Sequence, residues 1–338
     1  MDVLLTGAAG FIGCAVAERL LARGDRVVGL DAFDPLTGLV LKRARALRLA
    51  AQPRFTLVEG DLGDDAVLAR AFGEARPDVV VNLAARVGVR HSITHPGDYV
   101  GPNLVGFCRV IEAARAAGVG HFVYASSSSV YGASGALPFS ERGVTDQPIS
   151  FYAATKKANE LLAHSYSHAY RLPTTGLRFF TVYGPWGRPD MAMFAFARAL
   201  VDGRPIPLFG VGLERDFTYI DDIADAVVAA IDRPPGDDGP WDARAPRPGT
   251  SPAPFRVLNV GSHRPVPVKR VIELLGAALG KTAEIEVVAP REGDLTATCA
   301  DVEALEAALG TRPATPLEEG VARFVAWWRA EYLDKLED

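Results

Sequence analysis

The chain has 338 residues, 49% of them apolar and 23% charged, which suits one large α/β unit or two domains of a globular protein. A formal net charge of −5 excludes a general attraction to nucleic acid or anionic membrane, and no apolar run reaches the length of a membrane span. Three scattered cysteines (Cys14, Cys108, Cys299) lack metal-ligand spacing, and the first strand begins almost at Met1, leaving no stretch for a signal peptide. A cytoplasmic location is expected, with no metal, nucleic-acid or membrane partner.

Val3-Leu4-Leu5 reads as a short buried strand. Thr6-Gly7-Ala8-Ala9-Gly10-Phe11-Ile12-Gly13 then opens a helix running to about Arg23. Glycines at 7, 10 and 13 permit a tight turn and close backbone approach, so that a pyrophosphate can rest on the helix N-terminus beside Phe11 and Ile12. Their spacing is Gly-x-x-Gly-x-x-Gly rather than the standard Gly-x-Gly-x-x-Gly. Arg26–Leu30 reads as the second strand, and Asp31 ends it where a carboxylate can accept from a ribose 2′-OH and repel a 2′-phosphate, favouring NAD over NADP. The competing reading of Asp31 is an ordinary strand-end or helix-cap carboxylate.

To about residue 180, strands at 2–6, 26–31, 54–59, 78–82, 120–125 and 174–179 alternate with helices at 11–23, 64–75, 98–117 and 151–171. That alternation predicts a Rossmann-type doubly wound parallel sheet. Asp61 and Leu62 follow the third strand, Leu83-Ala84-Ala85 the fourth and Ser126–Ser129 the fifth, so all are expected at the carboxyl edge where ligands bind. Residues 181–338 read as a smaller mixed α/β substrate domain, with room for the chain to cross between the halves more than once. The stretch Pro234–Pro254, dense in Pro, Gly and Asp, reads as a long surface loop.

Tyr152-Ala-Ala-Thr-Lys156 places a phenol and an ammonium one helical turn apart on one face. A phenol near pKa 10 is a poor base at neutral pH, and a neighbouring cation favours its phenolate. With Ser127 on the facing loop, the three make a Ser–Tyr–Lys proton-transfer group suited to oxidising an alcohol or reducing a carbonyl. His164/His168 and His91/His95 have i, i+4 spacing without a third ligand and read as mixed helix faces. Arg178, Arg188, Arg215 and Arg291 read either as captors of an anionic ligand or as surface salt-bridge partners.

Taken together these segments resemble the extended short-chain dehydrogenase/reductase family, which holds nucleotide-sugar epimerases, dehydratases and decarboxylases. Gly7–Gly13, Asp31, Asp61, Tyr152-x-x-x-Lys156, Arg215–Asp222 and Pro290–Asp294 come in the family's order. Tyr124–Gly132, Tyr152–Glu160 and Leu177–Met191 resemble its UDP-glucuronate 4-epimerase subgroup, and the loop at 234–254 resembles an insertion of that subgroup.

The resemblance implies a retained NAD, with Asn103 added to the cofactor contacts named above and with Tyr152 and Lys156 touching it as well. It implies a UDP-sugar substrate oxidised at C4 to a ketone, turned about its diphosphate and reduced on the other face. Ser128, Ser129, Thr181 and Arg188 would contact the sugar and its carboxylate, Arg215 and Arg291 the diphosphate, and Asp294 the uridine ribose. The resemblance also implies a homodimer through the helix bearing Tyr152 and its neighbour at about 98–117.

Family dehydratases resemble this chain but place Asp-Glu at the positions of Ser128 and Ser129, and the decarboxylases place Glu at that of Ser129. Serines at both favour an epimerase, with a UDP-glucuronate decarboxylase or a 4-epimerase of another UDP-sugar as runner-up. A dinucleotide-binding sensor is the alternative of a different class. Ala32, where Asn is common, and Arg86, where Gln is usual and no partner is evident, depart from the subgroup.

Overall fold

Short runs rich in Val and Leu supply the inner strands of a sheet covered on both faces, and their order fixes where a ligand can bind. The structure is a computed structural model that describes residues 1–237, 242–289 and 295–333. Strands β1 (Asp2–Thr6), β2 (Arg26–Asp31), β3 (Phe55–Glu59), β4 (Val79–Asn82), β5 (His121–Ser127) and β6 (Thr174–Phe179) lie parallel in one sheet. Helices α1 (Phe11–Arg23), α2 (Leu39–Ala50), α3 (Asp65–Ala75), α4 (Val89–Thr94), α5 (Gly106–Ala117) and α6 (Phe151–Tyr170) connect them.

Alternate residues of β1 enter two different cores. Val3 and Leu5 pack with Phe11, Val16 and Leu20 of α1, whereas Leu4 packs with Phe107, Val110 and Ile111 of α5. Burial on both faces is why β1 and β4 are nearly continuous apolar runs.

The expected strands match within two residues at each end. Helices α2 and α4 were not expected. The stretch expected as one helix over 98–117 is broken into a tight turn, a π-helical segment Val100–Val105 and then α5. Gly101, Pro102 and Gly106 explain the break: proline has no amide to donate, and glycine tolerates the irregular turn.

The second half contributes β7 (Thr181–Tyr183), α7 (Ala192–Asp202), β8 (Ile206–Phe209), β9 (Glu214–Tyr219), α8 (Ile220–Ile231), β10 (Phe255–Val260), β11 (Pro265–Pro267), α9 (Val268–Leu279), β12 (Ile285–Val288), α10 (Glu303–Leu309) and α11 (Leu317–Trp327). Strand β10 returns to the large sheet beside β6, giving the order β10-β6-β5-β4-β1-β2-β3. Strands β11, β9 and β7 form a second sheet, and β12 pairs with β8. Within the expected loop, residues 242–248 are all exposed, and 238–241 lie outside the described residues.

Strand order reverses at β1, whose neighbours β2 and β4 lead away in opposite directions. The crevice at such a switch point is where open α/β sheets hold ligands.

Candidate active site

The first turn after β1 is built as a cradle. Gly7 has φ +71°, and a Cβ there would stand 2.8 Å from the Ala84 amide nitrogen. A Cβ on Gly13 would stand 2.0 Å from the Gly7 carbonyl oxygen. The chain therefore passes closer to itself than any side chain allows. Gly10 caps α1 without a side-chain acceptor, leaving first-turn amides available to an anion.

Asp31 is 6% exposed. Its Oδ2 accepts from the Ala9 amide at 3.0 Å and its Oδ1 from the Phe33 amide at 2.8 Å, which fixes the carboxylate beside the cradle. Lys42 Nζ lies 3.9 Å away. These residues fit a dinucleotide: a backbone cradle for pyrophosphate and an anchored acid for a ribose hydroxyl.

Tyr152 sits in the first turn of α6, which Ser150 caps by accepting from the Ala153 amide at 3.1 Å. The positive end of the helix favours a phenolate there. Burial nevertheless raises the Tyr152 phenol above its ordinary value, against downward pulls from the Ser127 hydroxyl and the Arg188 guanidinium. This corrects the expectation of a phenol lowered by Lys156. The lysine is 3% exposed, donates from Nζ to the Ala125 carbonyl at 2.9 Å and stands 5.9 Å from the Tyr152 ring centroid. Burial lowers its own pKa to about 8.

One cavity of about 350 Å³ takes in both groups. Its lining includes the cradle glycines, Asp31, Asp61, Leu62 and the run Leu83–Ala85 together with Ser127, Tyr152, Lys156 and Arg188. Other expected site residues lie off its wall. Ser129 donates its amide to Ser127 Oγ at 3.1 Å, and Ser128 begins the turn after β5. Thr181 begins β7. On β9, Arg215 donates to the Glu214 and Thr296 carbonyls. Asn103 is 1% exposed and spends its amide on Arg86 and Thr155. Arg291 and Asp294 lie outside the described residues.

Two arginines correct the sequence reading. Arg178 is fully buried and binds Glu160 through two nitrogens, so it is no captor of a ligand anion. Arg86 does have partners: it bonds the Asp34 carboxylate and reaches Asp98 at 2.9 Å. Asp34 lies in an irregular turn, and nothing in the spacing of positions 34, 86 and 98 marks the contact.

Several residues that hold the site were missed. Thr155 accepts from Asn103, and Asn159 donates to the Asn103 carbonyl at 2.8 Å, so the π-helical segment is docked on α6. The i+4 position after Lys156 is Glu160, a signal that was available but carries no chemistry of its own. Arg45 required α2, which was not foreseen.

The doubly wound sheet, the glycine cradle and the Ser–Tyr–Lys constellation together define an enzyme that moves hydride between a dinucleotide and a hydroxyl-bearing substrate. The chain belongs to the NAD dependent epimerase/dehydratase family, which matches residues 3–241. It is 45% identical to a probable UDP-glucuronate 4-epimerase of Rhizobium meliloti over 98% of both chains. It is 43% identical to UDP-glucuronate 4-epimerase 5 of Arabidopsis thaliana, covering 98% of this chain and 76% of the relative. Among solved structures, the UDP-glucuronic acid 4-epimerase of Bacillus cereus in complex with UDP-glucuronic acid and NAD superposes with a TM-score of 0.84 at 32% identity, over 98% of this chain and 99% of that one.

Proposed function

We propose that this chain interconverts UDP-glucuronate and UDP-galacturonate by inverting C4, with NAD retained through the cycle. The observation that supports it most is one cavity whose lining joins the glycine cradle and Asp31 to Ser127, Tyr152, Lys156 and Arg188.

Bound NAD would supply the acceptor and source of hydride for C4. The glycine cradle, Asp31, Asp61, Leu62 and Leu83–Ala85 would hold it, Asn103 bracing the wall through the Arg86 backbone, and Lys156 would anchor its nicotinamide ribose. Tyr152 removes the proton of the 4-hydroxyl and later returns it, so inversion requires no further base. Ser127 hydrogen-bonds the reacting oxygen. Ser128, Ser129, Thr181 and Arg188 take the sugar and its carboxylate, Arg215 and Arg291 the diphosphate, and Asp294 the uridine ribose.

A carboxylate β to a ketone loses CO2 readily, so the pocket must hold that group out of line with the carbonyl. An arginine fork suits this task. In the structure Arg188 pairs with Asp190 two residues on, a partner that the substrate carboxylate would replace.

In this reading residues 1–180 serve chiefly the cofactor and 181–338 the sugar nucleotide. The enzyme is cytoplasmic, consistent with three unpaired cysteines, and forms a homodimer through α6 and the 98–117 stretch, where Leu161 (61% exposed) on α6 and Val105 (45%), just before α5, face outward. No helix among the described residues is long and apolar enough to cross a membrane. Incubation with UDP-glucuronate followed by NMR tests the reading. UDP-galacturonate supports it, and UDP-xylose would make the protein a decarboxylase.

A further inference from the structure

We infer that Arg45 is a positioning residue for Arg188, tying the dinucleotide cradle to the loop that meets the substrate carboxylate; this rests on the function proposed above. Arg45 lies on α2, is 1% exposed and binds only carbonyl oxygens. Its Nη1 donates to Ala9 at 3.1 Å, within the cradle. Its Nε donates to Trp186 at 2.9 Å and its Nη2 to Gly187 at 2.5 Å, the two residues immediately before Arg188. No carboxylate of the described residues is within ion-pair distance of it, so its hydrogen bonds go to this bridge.

The loop it grips is held in a conformation it would not choose freely. Trp186 has φ +61°, a region unfavourable for a bulky side chain, and such strain persists only where surroundings over-determine the backbone. Gly184 (φ +146°) precedes it, and a Cβ on Gly187 would stand 2.7 Å from the Phe194 ring. Arg48, one turn from Arg45, lies over the Trp186 indole at 4.4 Å. One helix thus clamps both the backbone and the ring of the residue that sets where Arg188 starts.

Two consequences follow. Loosening this clamp misplaces Arg188 without touching Ser127, Tyr152 or Lys156. A lysine cannot replace the arginine, because a single ammonium does not span three divergent carbonyls.

The test compares wild type with Arg45→Lys and Arg45→Met, each carrying its bound NAD. KM and kcat are measured for UDP-glucuronate, dissociation constants for the neutral UDP-glucose, and amide hydrogen exchange across residues 184–191. The expected result is a rise in KM for the uronate of about tenfold, the size of one lost charge-assisted hydrogen bond, against a clearly smaller loss in UDP-glucose binding. Exchange at 184–191 should quicken in both variants.

Equal losses for the charged and neutral sugars would mean general destabilisation and would overturn the inference, as would unchanged exchange in the loop. If wild type does not turn over UDP-glucuronate, the proposed function fails first. Loop exchange then decides the tie alone, with quickening upholding the bridge and no change rejecting it.

Discussion

Glu160 on α6 grips Arg178 on β6 with both oxygens, Nε on Oε1 and Nη2 on Oε2, each at 2.8 Å, in a site where both side chains are at most 3% exposed. Ser126 Oγ adds a bond to Oε1 at 2.6 Å, one residue before Ser127. Arg178 continues through Tyr131 to Asn259 on β10. The helix carrying Tyr152 and Lys156 is thereby bolted to three adjacent strands. Burial alone would raise the Glu160 carboxyl, but Arg178 and Ser126 outweigh it and its pKa is lowered.

Removing one partner leaves a buried charge uncompensated. Arg178→Met should cost about 3–5 kcal/mol in denaturant unfolding of the protein. Because the folded pKa of Glu160 lies below its unfolded value, the pair's contribution is fully present above the ordinary carboxyl pKa. It is lost as pH falls through the folded value. The wild-type advantage over the variant should therefore shrink in acid, and an advantage independent of pH down to the acid limit would refute the ion pair as its source.

Tyr152→Phe removes only the proton acceptor. Turnover should drop by at least about a thousandfold while NAD co-purifies as before. Measured activity near wild type would remove Tyr152 from the chemistry.

Lys156 is buried with its pKa lowered to about 8, a sign that its charge is held at a cost in the protein without ligand. For a lysine whose folded pKa is depressed, the penalty is full below that value and fades as pH rises towards the unfolded pKa. Lys156→Met should thus raise the stability of cofactor-free protein at pH 7 by roughly 1–3 kcal/mol while abolishing turnover. A destabilised variant would show that the bond to the Ala125 carbonyl outweighs burial.

Arg188→Ala should raise KM for UDP-glucuronate by roughly 10–100-fold and release CO2, detected as UDP-xylose or a 4-keto pentose. Wild-type handling of the uronate would reject Arg188 as the carboxylate contact.

Much of the large sheet was legible because its inner strands are short, buried apolar runs that alternate with helices. The cradle and the Tyr152–Lys156 turn were legible because each is local. What escaped was long-range or irregular. The amphipathic run Leu39–Ala50 was overlooked, and with it Arg45, whose partners lie up to 142 residues away. The rise in the Tyr152 pKa was invisible for the same reason: spacing shows a neighbouring ammonium but not the burial that opposes it, nor that Lys156 turns to Ala125. Arg178 could be read as a ligand captor or a surface salt-bridge partner because sequence does not reveal that a β6 side chain points into the buried space under α6.

The most direct test of the account follows the hydrogen at C4. UDP-glucuronate carrying deuterium at C4 is incubated with the purified protein in ordinary water, and the product is read by NMR. The expected product is UDP-galacturonate with the deuterium still at C4, since the hydride leaves and returns without meeting solvent. UDP-galacturonate with the label washed out would contradict hydride return at C4, and no UDP-galacturonate at all would contradict the epimerase reading itself.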